Sequence, residues 1–429
     1  MSDNSLAYES LGFNGLVRDI SDDLQANCDN NPKFSLGCSL LIIGAICQRS
    51  FIVPEDFETN LFVLLHAPAS TNKNKFFVRA GEYLRAVDPR LMCPEPRSSE
   101  AMKVIVNEHQ TRCYVVDEFW KKYAGAYKEQ PEPFAYGIMS KMLEFYNNQK
   151  VIDGSKTKTT LIPHTDYPRF SMLGVSTFVG LQKVLKENEF TSDGMMSRFC
   201  LFIHDETPFR RFKRSEKPRT PISSEIVEKL QKLYYGPGPH AHSFTDGKSP
   251  APLHHTELIL PEDTDLALDG VFERFNLRHE IISGEELKAG SHAIICRNFN
   301  RVQKFTAIHC LGRGDTVMSR EDVAFAGELG VLLLDQDLEL LDSEGVGIHD
   351  RVIFAIEKVV EKYRTPDGLT GAEIANKTHT LRKLLKDENE RMRILKAMFA
   401  MGRINMIDNK GEALRFFPAT PASMLKVMS

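Results

Sequence analysis

The chain has 429 residues, a formal net charge of −4 and an ordinary globular composition, with 42% hydrophobic and 26% charged residues. This length permits two or three domains, and the overall charge excludes a broadly basic nucleic-acid-binding protein, so any DNA contact must come from local basic clusters. The polar N-terminus, the lack of a long apolar run and eight cysteines without a C-x-x-C pair predict a cytoplasmic protein with reduced thiols and no membrane partner.

Helical and strand patterns alternate over the first half of the chain. Residues 1–50 predict a helical N-terminal segment, because Phe13, Leu16, Ile20 and Leu24 recur at helical spacing. Continuous apolar runs predict buried parallel strands at 60–66, 113–116, 171–174 and 199–203. Helical patterns lie between them, at 75–86, 98–107 and 134–147. This alternation predicts an α/β domain over residues 51–210 with a mainly parallel sheet.

The second half of the chain has a different sequence pattern. Residues 209–260 are rich in proline and predict an irregular excursion or lid, whereas 262–345 return to helical patterning. Residues 211–345 are therefore assigned to a lid plus a helical completion of the core. Residues 346–429 predict a winged-helix domain, with three helical segments followed by a two-strand hairpin over 403–417.

The ends of two predicted strands carry residues suited to nucleotide chemistry. The run 60–66 leads into Ala-Pro-Ala-Ser-Thr-Asn-Lys-Asn, where Lys73 would reach the outer phosphates of ATP. The run 113–116 is followed by Asp117, a candidate Mg²⁺ ligand, and by Glu118, a candidate base for the attacking water. The alternatives are an ordinary polar loop and a solvated strand end.

The loop before Lys73 lacks every glycine of the G-x-x-x-x-G-K-[ST] pattern. Asn72 occupies the place of the last glycine and is the loop residue best suited to a left-handed backbone. Asn74 replaces the hydroxyl residue that would contact magnesium. Asn72, Lys73 and Asn74 are therefore the predicted phosphate-binding residues of a degenerate loop.

The order of these segments resembles the primase-associated, helicase-like P-loop ATPases of phages and mobile elements, which are distant relatives of replicative ring helicases. The segments that carry the resemblance are 145–154, 170–177 and Asp-Gly-Met-Met-Ser-Arg-Phe at 193–199. The resemblance covers about residues 10–345. It implies a RecA-like core, ATP and Mg²⁺ as cofactors, a homo-oligomeric ring such as a hexamer, single-stranded DNA as a partner, and a primase or polymerase as a further partner.

The resemblance also implies roles for polar residues outside the loop. Ser176 or Thr177 would be a polar sensor at a strand end, and Arg198 would be an arginine finger that reaches a neighbouring subunit's nucleotide. Arg301, with Lys304, would sense phosphates from the C-terminal side. The alternatives are a turn cap for the sensor, a surface salt bridge for Arg198 and a solvated helix face for Arg301 and Lys304.

Two basic clusters are candidate contacts to single-stranded DNA. The first flanks the turn signal Asp153-Gly154 and comprises Lys150, Lys156 and Lys158. The second is denser, has phenylalanines interleaved, and comprises Arg210, Arg211, Lys213 and Arg214. Solvated loops are the alternative for both. The histidines at 240, 242, 254 and 255 have no nearby ligands at metal-binding spacing.

The leading hypothesis is an ATP-driven motor, a replicative DNA helicase of a phage or mobile element that translocates on single-stranded DNA. The alternative is an ATPase-fold protein with weak or no catalysis that acts as a DNA-binding or replication-assembly scaffold. The missing glycines favour the scaffold, whereas Lys73, Asp117, Glu118 and Arg198 together favour the motor. A metabolic kinase is a third possibility that leaves the winged helix unexplained.

Overall fold

The structure is a computed structural model of the chain, in which contacts divide residues 1–341 and 342–429 into two compact units. The residues that it describes are 5–29, 31–54, 58–68, 71–127, 131–147, 151–152, 154–156, 161–162, 164–166, 168–177, 180–181, 184, 196–204, 220–236, 256–283, 291–345, 356, 359–360, 362–363, 368–377, 392, 395–396, 404–407 and 414–418.

The first unit begins with three helices and a four-stranded parallel sheet. The helices are α1 (Ser5–Glu9), α2 (Gly15–Asn27) and α3 (Pro32–Cys47), and a short strand β1 (Phe51–Ile52) follows. The sheet strands are β2 (Phe62–His66), β3 (Thr111–Val116), β8 (Arg169–Ser176) and β9 (Phe199–Ile203), in the spatial order β3-β8-β2-β9. The four predicted strands and their parallel arrangement are therefore confirmed.

Helices cover both faces of this sheet, which explains why its strands are continuous apolar runs. Between β2 and β8 lie α4 (Lys73–Val87), α5 (Ser99–Glu108), α6 (Phe119–Tyr123) and α7 (Pro133–Tyr146). On one face Gly37 of α3 packs against Phe202 of β9. On the other face Phe119 of α6 packs against Phe199, and Phe62 contacts Tyr146 of α7. This arrangement confirms the predicted mixed α/β core.

Between α7 and β8 the chain forms a β-hairpin. Its arms pair as β4 (Val151–Ile152) with β7 (Thr165–Asp166) and as β5 (Ser155–Lys156) with β6 (Leu161–Ile162). Both pairs share one register, so they belong to a single hairpin. The prediction of a turn at Asp153-Gly154 is therefore wrong, because Ile152 pairs with Thr165 and Ser155 pairs with Ile162, so the residues on the two sides of this dipeptide do not pair with each other.

The rest of the first unit is mainly helical. It contains α8 (Ser224–Tyr235), α9 (Glu262–Ser283), α10 (Ser291–Gly312) and α11 (Arg320–Gly345), and the short strand β10 (Thr256–Glu257) pairs in parallel with β1. The helical prediction for 262–345 is confirmed. The irregular prediction for 209–260 is wrong over 224–235, because Leu230, Leu233 and Tyr234 give α8 an apolar face that is buried.

The second unit has a small core of its own, in which Ile356, Ile374 and Phe416 are buried. It contains β11 (Leu369–Thr370), α12 (Gly371–Lys377), β12 (Ile404–Ile407) and β13 (Arg415–Pro418). Strands β12 and β13 pair antiparallel, as predicted, and β11 joins the other side of β13.

Candidate functional site at the carboxyl edge of the sheet

Three strands of the parallel sheet end side by side and bring the predicted nucleotide-binding residues to one edge. His66, the last residue of β2, pairs with Ser176, the last residue of β8. On the other side of β8, Val116 of β3 pairs with Gly174. The segments after His66 and after Val116 therefore emerge at the same edge, with the end of β8 between them. The carboxyl ends of parallel strands are where α/β sheets bind ligands.

The connection between β2 and α4 is the predicted phosphate loop, and Lys73 lies at its end as the first residue of α4. The Lys73 ammonium group donates to the carbonyl oxygens of Ala67 and Pro68, at 3.3 and 3.2 Å. Thr71 Oγ1 also donates to the Pro68 carbonyl, at 2.9 Å. The loop thus curls around its own lysine, and the N-terminal turn of α4 adds a partial positive charge there.

The loop does not use a left-handed backbone at Asn72. The φ angle of Asn72 is −76°, so the loop residue best suited to a left-handed backbone does not adopt one. The Asn72 side chain instead donates to Asp29 Oδ2 at 3.2 Å, which ties the loop to the connection between α2 and α3. Residues 69–70 lie outside the described part of the loop. The described part therefore avoids the strain that side chains would suffer in a glycine-type conformation.

Asn74 and Asp117 meet across the end of the sheet. Asn74 Nδ2 lies 3.4 Å from Asp117 Oδ2, although the two residues are 43 positions apart in the sequence. Asp117 Oδ1 accepts a hydrogen bond from the backbone N–H of Glu118 at 2.8 Å, which fixes the carboxylate. The predicted magnesium ligand and the residue in the hydroxyl position of the loop are therefore neighbours.

Glu118 has a left-handed backbone, with φ 49° and ψ 47°. Among the described residues it is the one non-glycine residue with a positive φ. Such a conformation costs a residue with a Cβ roughly 1–2 kcal/mol, and it turns the chain sharply from β3 into α6. The Glu118 carboxylate is exposed and forms an ion pair with Lys121 at 2.7 Å. The same turn places Phe119 and Trp120 in the core.

The charges at this edge influence one another. Burial lowers the pKa of Lys73, while Asp117 and Glu118 act in the opposite direction. The pKa of Glu118 is lowered by its hydrogen bond and charge interaction with Lys121, with a smaller contribution from Lys73. Two lysines, Lys73 and Lys121, and the two carboxylates thus share this edge.

His66 and Trp120 form a contact at this edge that the sequence analysis missed. The rings lie within 6° of parallel with their centroids 6.4 Å apart, and both side chains are buried. Burial and the nearby Lys73 charge lower the pKa of His66 to about 3, so the imidazole is neutral at physiological pH. The signals available in the sequence were the position of His66 directly before the loop and that of Trp120 directly after Asp117-Glu118-Phe119.

The end of β8 carries the predicted sensor residues. Ser176 is buried, and its carbonyl accepts a hydrogen bond from the backbone N–H of Ala67 at 3.4 Å. The carbonyl of Thr177 accepts hydrogen bonds from the backbone N–H groups of Gly180 and Leu181. Thr177 therefore begins a helical turn, as the turn-cap alternative expects, and it also lies between the phosphate loop and Asp117, as the sensor hypothesis expects.

Arg198 lies at the opposite, amino edge of the sheet. It directly precedes β9, whereas the phosphate loop follows β2, and the two strands are parallel. The two edges are roughly 15 Å apart, the length of a five-residue strand. Arg198 is 7% exposed as a residue, and its guanidinium donates to Asn147 Oδ1 from Nε at 3.2 Å and from Nη2 at 3.0 Å. Arg198 thus does not reach the Lys73 loop of its own subunit.

Arg301 and Lys304 also lie at the amino edge, so the structure separates them from the phosphate loop. The Arg301 side chain is fully buried, pairs with Asp337 at 2.7 Å and donates to the Ser197 and Phe199 carbonyls. Lys304 is buried too and donates to the Asn60 carbonyl at 2.9 Å. The solvated-face alternative is therefore wrong. Arg301 holds the turn before β9 against α10 and α11, away from the predicted phosphate position.

Of the predicted DNA-binding residues, only Lys156 lies in the described part of the chain. The backbone of Lys156 lies in the hairpin, where it pairs with Leu161, and the side chain of Leu161 is exposed. The remaining basic candidates fall outside the described residues: Lys150, Lys158, Arg210, Arg211, Lys213 and Arg214.

The described residues hold neither a ready-made metal centre nor a membrane span. Within that part of the chain, no group of three or more His, Cys, Asp or Glu side chains is arranged to hold a metal ion. None of the helices described has the length and apolar composition to cross a membrane. No family model matches the chain, and no curated protein matches it.

Proposed function

We propose that the chain is a P-loop-type ATPase with a RecA-like core, and that Lys73, Asn74 and Asp117 form its ATP–Mg²⁺ site. The single observation that carries this proposal is the meeting of Asn74 and Asp117 beside Lys73, at the carboxyl edge of a parallel sheet. The sequence places these residues on two separate strand ends, and an ordinary polar loop has no need of an acidic partner from another strand.

The residues present fit a magnesium-bound nucleotide. Mg²⁺ prefers oxygen ligands and is commonly held by one or two carboxylates together with phosphates and water. Asp117 supplies a carboxylate, and Asn74 supplies a carbonyl oxygen beside it once its amide is turned. When bound, magnesium would offset the negative charge of the phosphates. A cluster of several acidic residues is therefore not required at this edge.

The other residues of the edge have distinct tasks in this proposal. Lys73 leaves the Ala67 and Pro68 carbonyls and donates to the outer phosphates. Glu118, held by its unusual backbone next to Asp117, orients the attacking water. Thr177, at the end of the strand between the two ATP-binding segments, donates its hydroxyl to the water or to the γ-phosphate.

The position of Arg198 supports an assembly in which the active site is shared. An arginine at the opposite edge from its own phosphate loop can serve the nucleotide of a neighbouring subunit, as a finger acting in trans does. We therefore propose a homo-oligomeric ring, such as a hexamer, that translocates on single-stranded DNA as the replicative helicase of a phage or mobile element. A winged helix in the C-terminal unit would add DNA contacts, and a primase or polymerase would be the replication partner.

A scaffold without catalysis is the second candidate, and a specific observation favours it. Lys73 already donates to two loop carbonyls, and the loop sequence has none of the glycines that let backbone N–H groups converge on a phosphate. In that case the fold would serve assembly and DNA binding alone.

Calorimetric titration with ATP–Mg²⁺ separates the two candidates. We expect binding in the high-micromolar range or weaker, because the loop lacks glycine, and complete loss of heat for Lys73→Ala. Lys75→Ala is the matched control and should bind like the wild type, since Lys75 lies on the same helical turn while the loop carbonyls of Ala67 and Pro68 accept from Lys73. Identical titrations for wild type and Lys73→Ala would favour the scaffold.

A further inference from the structure

One nitrogen of the Arg301 guanidinium holds the backbone on both sides of Arg198. Arg301 Nη2 donates to the carbonyl oxygen of Ser197, at 3.0 Å, and to that of Phe199. These two carbonyls belong to the residues immediately before and after Arg198, which ends the short 3₁₀ helix Met196–Arg198. The backbone of Arg198 is therefore fixed relative to α10, the helix that carries Arg301.

Arg301 is itself held by the packing of α10 against α11. Its Nη1 pairs with Asp337 Oδ2 at 2.7 Å, and both side chains are fully buried. Nη1 also donates to Asn298 Oδ1 at 3.4 Å, and Nδ2 of this asparagine donates to the Gly330 carbonyl at 2.6 Å. A Cβ added at Gly330 would lie 2.5 Å from a side chain of α10, so the two helices approach closely there. The support for the turn before β9 thus comes from two long, closely packed helices.

A neighbouring contact on β9 has a different role. In the four-stranded sheet β9 is an outer strand, and the carbonyl of Leu201 accepts a hydrogen bond from Gln336 Nε2 of α11. This contact covers a strand edge, as side chains on edge strands commonly do. It lies in the middle of β9, whereas Arg301 holds the two residues that flank Arg198.

We propose that Arg301 and Asp337 are positioning residues for Arg198, because they preorganise the turn from which Arg198 reaches the nucleotide of a neighbouring subunit. This inference rests on the proposed function, since it requires a finger that acts in trans. A finger must place its guanidinium within hydrogen-bond reach of a phosphate, and a misplacement of about 1 Å can cost about 10²-fold in rate. Arg301 thus contributes to turnover through backbone geometry and does not bind the nucleotide.

Steady-state ATPase assays with an oligothymidine strand, together with calorimetry of ATP–Mg²⁺ binding, test this inference on the full chain. Arg301→Met combined with Asp337→Leu removes the donor and leaves no charge of the pair buried, so this double variant should fold. We expect its kcat to fall roughly 10²-fold with ATP affinity unchanged. Adding Arg198→Ala should lower turnover only to that of Arg198→Ala alone, because both changes act through one arginine.

Two single variants complete the set. Arg301→Lys keeps a buried charge for Asp337, but its one nitrogen cannot also hold both carbonyls, so kcat should again fall with ATP affinity unchanged. Gln336→Leu is the matched control. It removes a side-chain donor to β9 without touching the residues beside Arg198, and it should keep the wild-type kcat.

Mixed assemblies show in which subunit the defect lies. Lys73→Ala subunits keep the finger and lack the phosphate-binding lysine, whereas subunits of the double variant keep the ATP site and lack a positioned finger. Co-assembly of the two should give more turnover than the sum of the separate proteins. Co-assembly of Lys73→Ala with Arg198→Ala should do the same.

The outcomes separate this inference from the proposed function. A wild-type kcat in the double variant would overturn the inference, and so would restored turnover with Arg198→Ala but not with the double variant, because the defect would then lie within its own subunit. No restoration in either mixture would overturn the trans finger and this inference with it. A wild type that does not hydrolyse ATP even with DNA would overturn the proposed motor itself.

Discussion

Asn74 Nδ2 lies 3.4 Å from Asp117 Oδ2, and this contact joins the first turn of α4 to the segment that follows β3. The strand between them, β8, ends in Ser176 at the same level. The nucleotide site proposed for this chain is built from these three segments, with Lys73 at its base. Its supports are the buried core beneath the edge and, in the proposed ring, the arginine of a neighbouring subunit.

Trp120 should report nucleotide binding directly. It is the single tryptophan of the chain, is buried, and lies two residues after Glu118 with its ring parallel to that of His66. Binding of ATP–Mg²⁺ at Lys73 and Asp117 would shift the segment that carries Trp120, so we expect a saturable change in tryptophan emission. Lys73→Ala should remove the change. An emission spectrum that is the same with and without saturating ATP–Mg²⁺ would argue against a site at this edge.

Arg198→Ala should separate binding from turnover. Because Arg198 lies at the opposite edge from its own phosphate loop, nucleotide affinity should stay nearly unchanged. Turnover by the assembled protein should fall by roughly 10³-fold or more, the usual effect of removing an arginine finger. Calorimetry and steady-state ATPase assays measure the two quantities. Equal loss of affinity and turnover would instead place Arg198 in contact with the nucleotide of its own subunit.

The hairpin lysines should contribute to the salt dependence of DNA binding. The backbone of Lys156 pairs with that of Leu161 in the hairpin, and Lys150 and Lys158 lie outside the described residues. Replacing Lys150, Lys156 and Lys158 by glutamine should lower the slope of log affinity against log salt by up to roughly 2 on single strands, at about 0.7 for each phosphate that is no longer neutralised. Fluorescence anisotropy at several salt concentrations measures the slope, and an unchanged slope would make these lysines part of a solvated loop.

Protonation of His66 should destabilise the first unit in acid. Its ordinary pKa is 6.5, and burial beside Lys73 lowers it to about 3 in the folded protein. Between these values the unfolded chain binds a proton that the folded chain does not, so stability falls as pH decreases from about 6.5 towards 3. The slope is at most about 1.4 kcal/mol per pH unit. Urea unfolding of His66→Phe, which cannot titrate, should show a shallower pH dependence, and parallel curves would contradict this.

The buried pair of Arg301 and Asp337 should matter for stability and not for nucleotide affinity. Arg301→Met leaves a buried carboxylate without its partner, which typically costs about 3–5 kcal/mol. The double replacement Arg301→Met with Asp337→Leu should recover part of this loss, because no charge of the pair remains buried. Urea unfolding measures the loss, and a variant as stable as the wild type but with weaker ATP binding would restore a phosphate-sensing role for Arg301.

The sequence predicted the elements of the sheet well and the long-range polar contacts poorly. Continuous apolar runs identify β2, β3, β8 and β9 because strands covered on both faces need apolar residues throughout. The same logic brings Lys73 and Asp117 to one edge. By contrast, Arg301 and Lys304 look like a solvated helix face, since their partners Asp337 and Asn60 lie far away in the sequence.

Local turn signals were the other source of error. Asp153-Gly154 is a typical hairpin turn, but the pairing of Val151 with Asp166 and of Lys156 with Leu161 extends the arms past it. The prolines within residues 209–260 favoured an irregular prediction there. The helical spacing of the apolar residues Leu230, Leu233 and Tyr234 gives α8 its buried face. The hydrogen bond from the Asn72 side chain to Asp29 could not be predicted from the sequence, because the two residues are 43 positions apart.

The most direct test of the central claim is the rate of ATP hydrolysis with and without single-stranded DNA, measured on the wild type and on Lys73→Ala. The site at Lys73, Asn74 and Asp117 predicts slow turnover without DNA, a clear increase with DNA, and no turnover above background for Lys73→Ala. No hydrolysis by the wild type under either condition, or equal hydrolysis by both proteins, would contradict an ATPase site at this edge of the sheet.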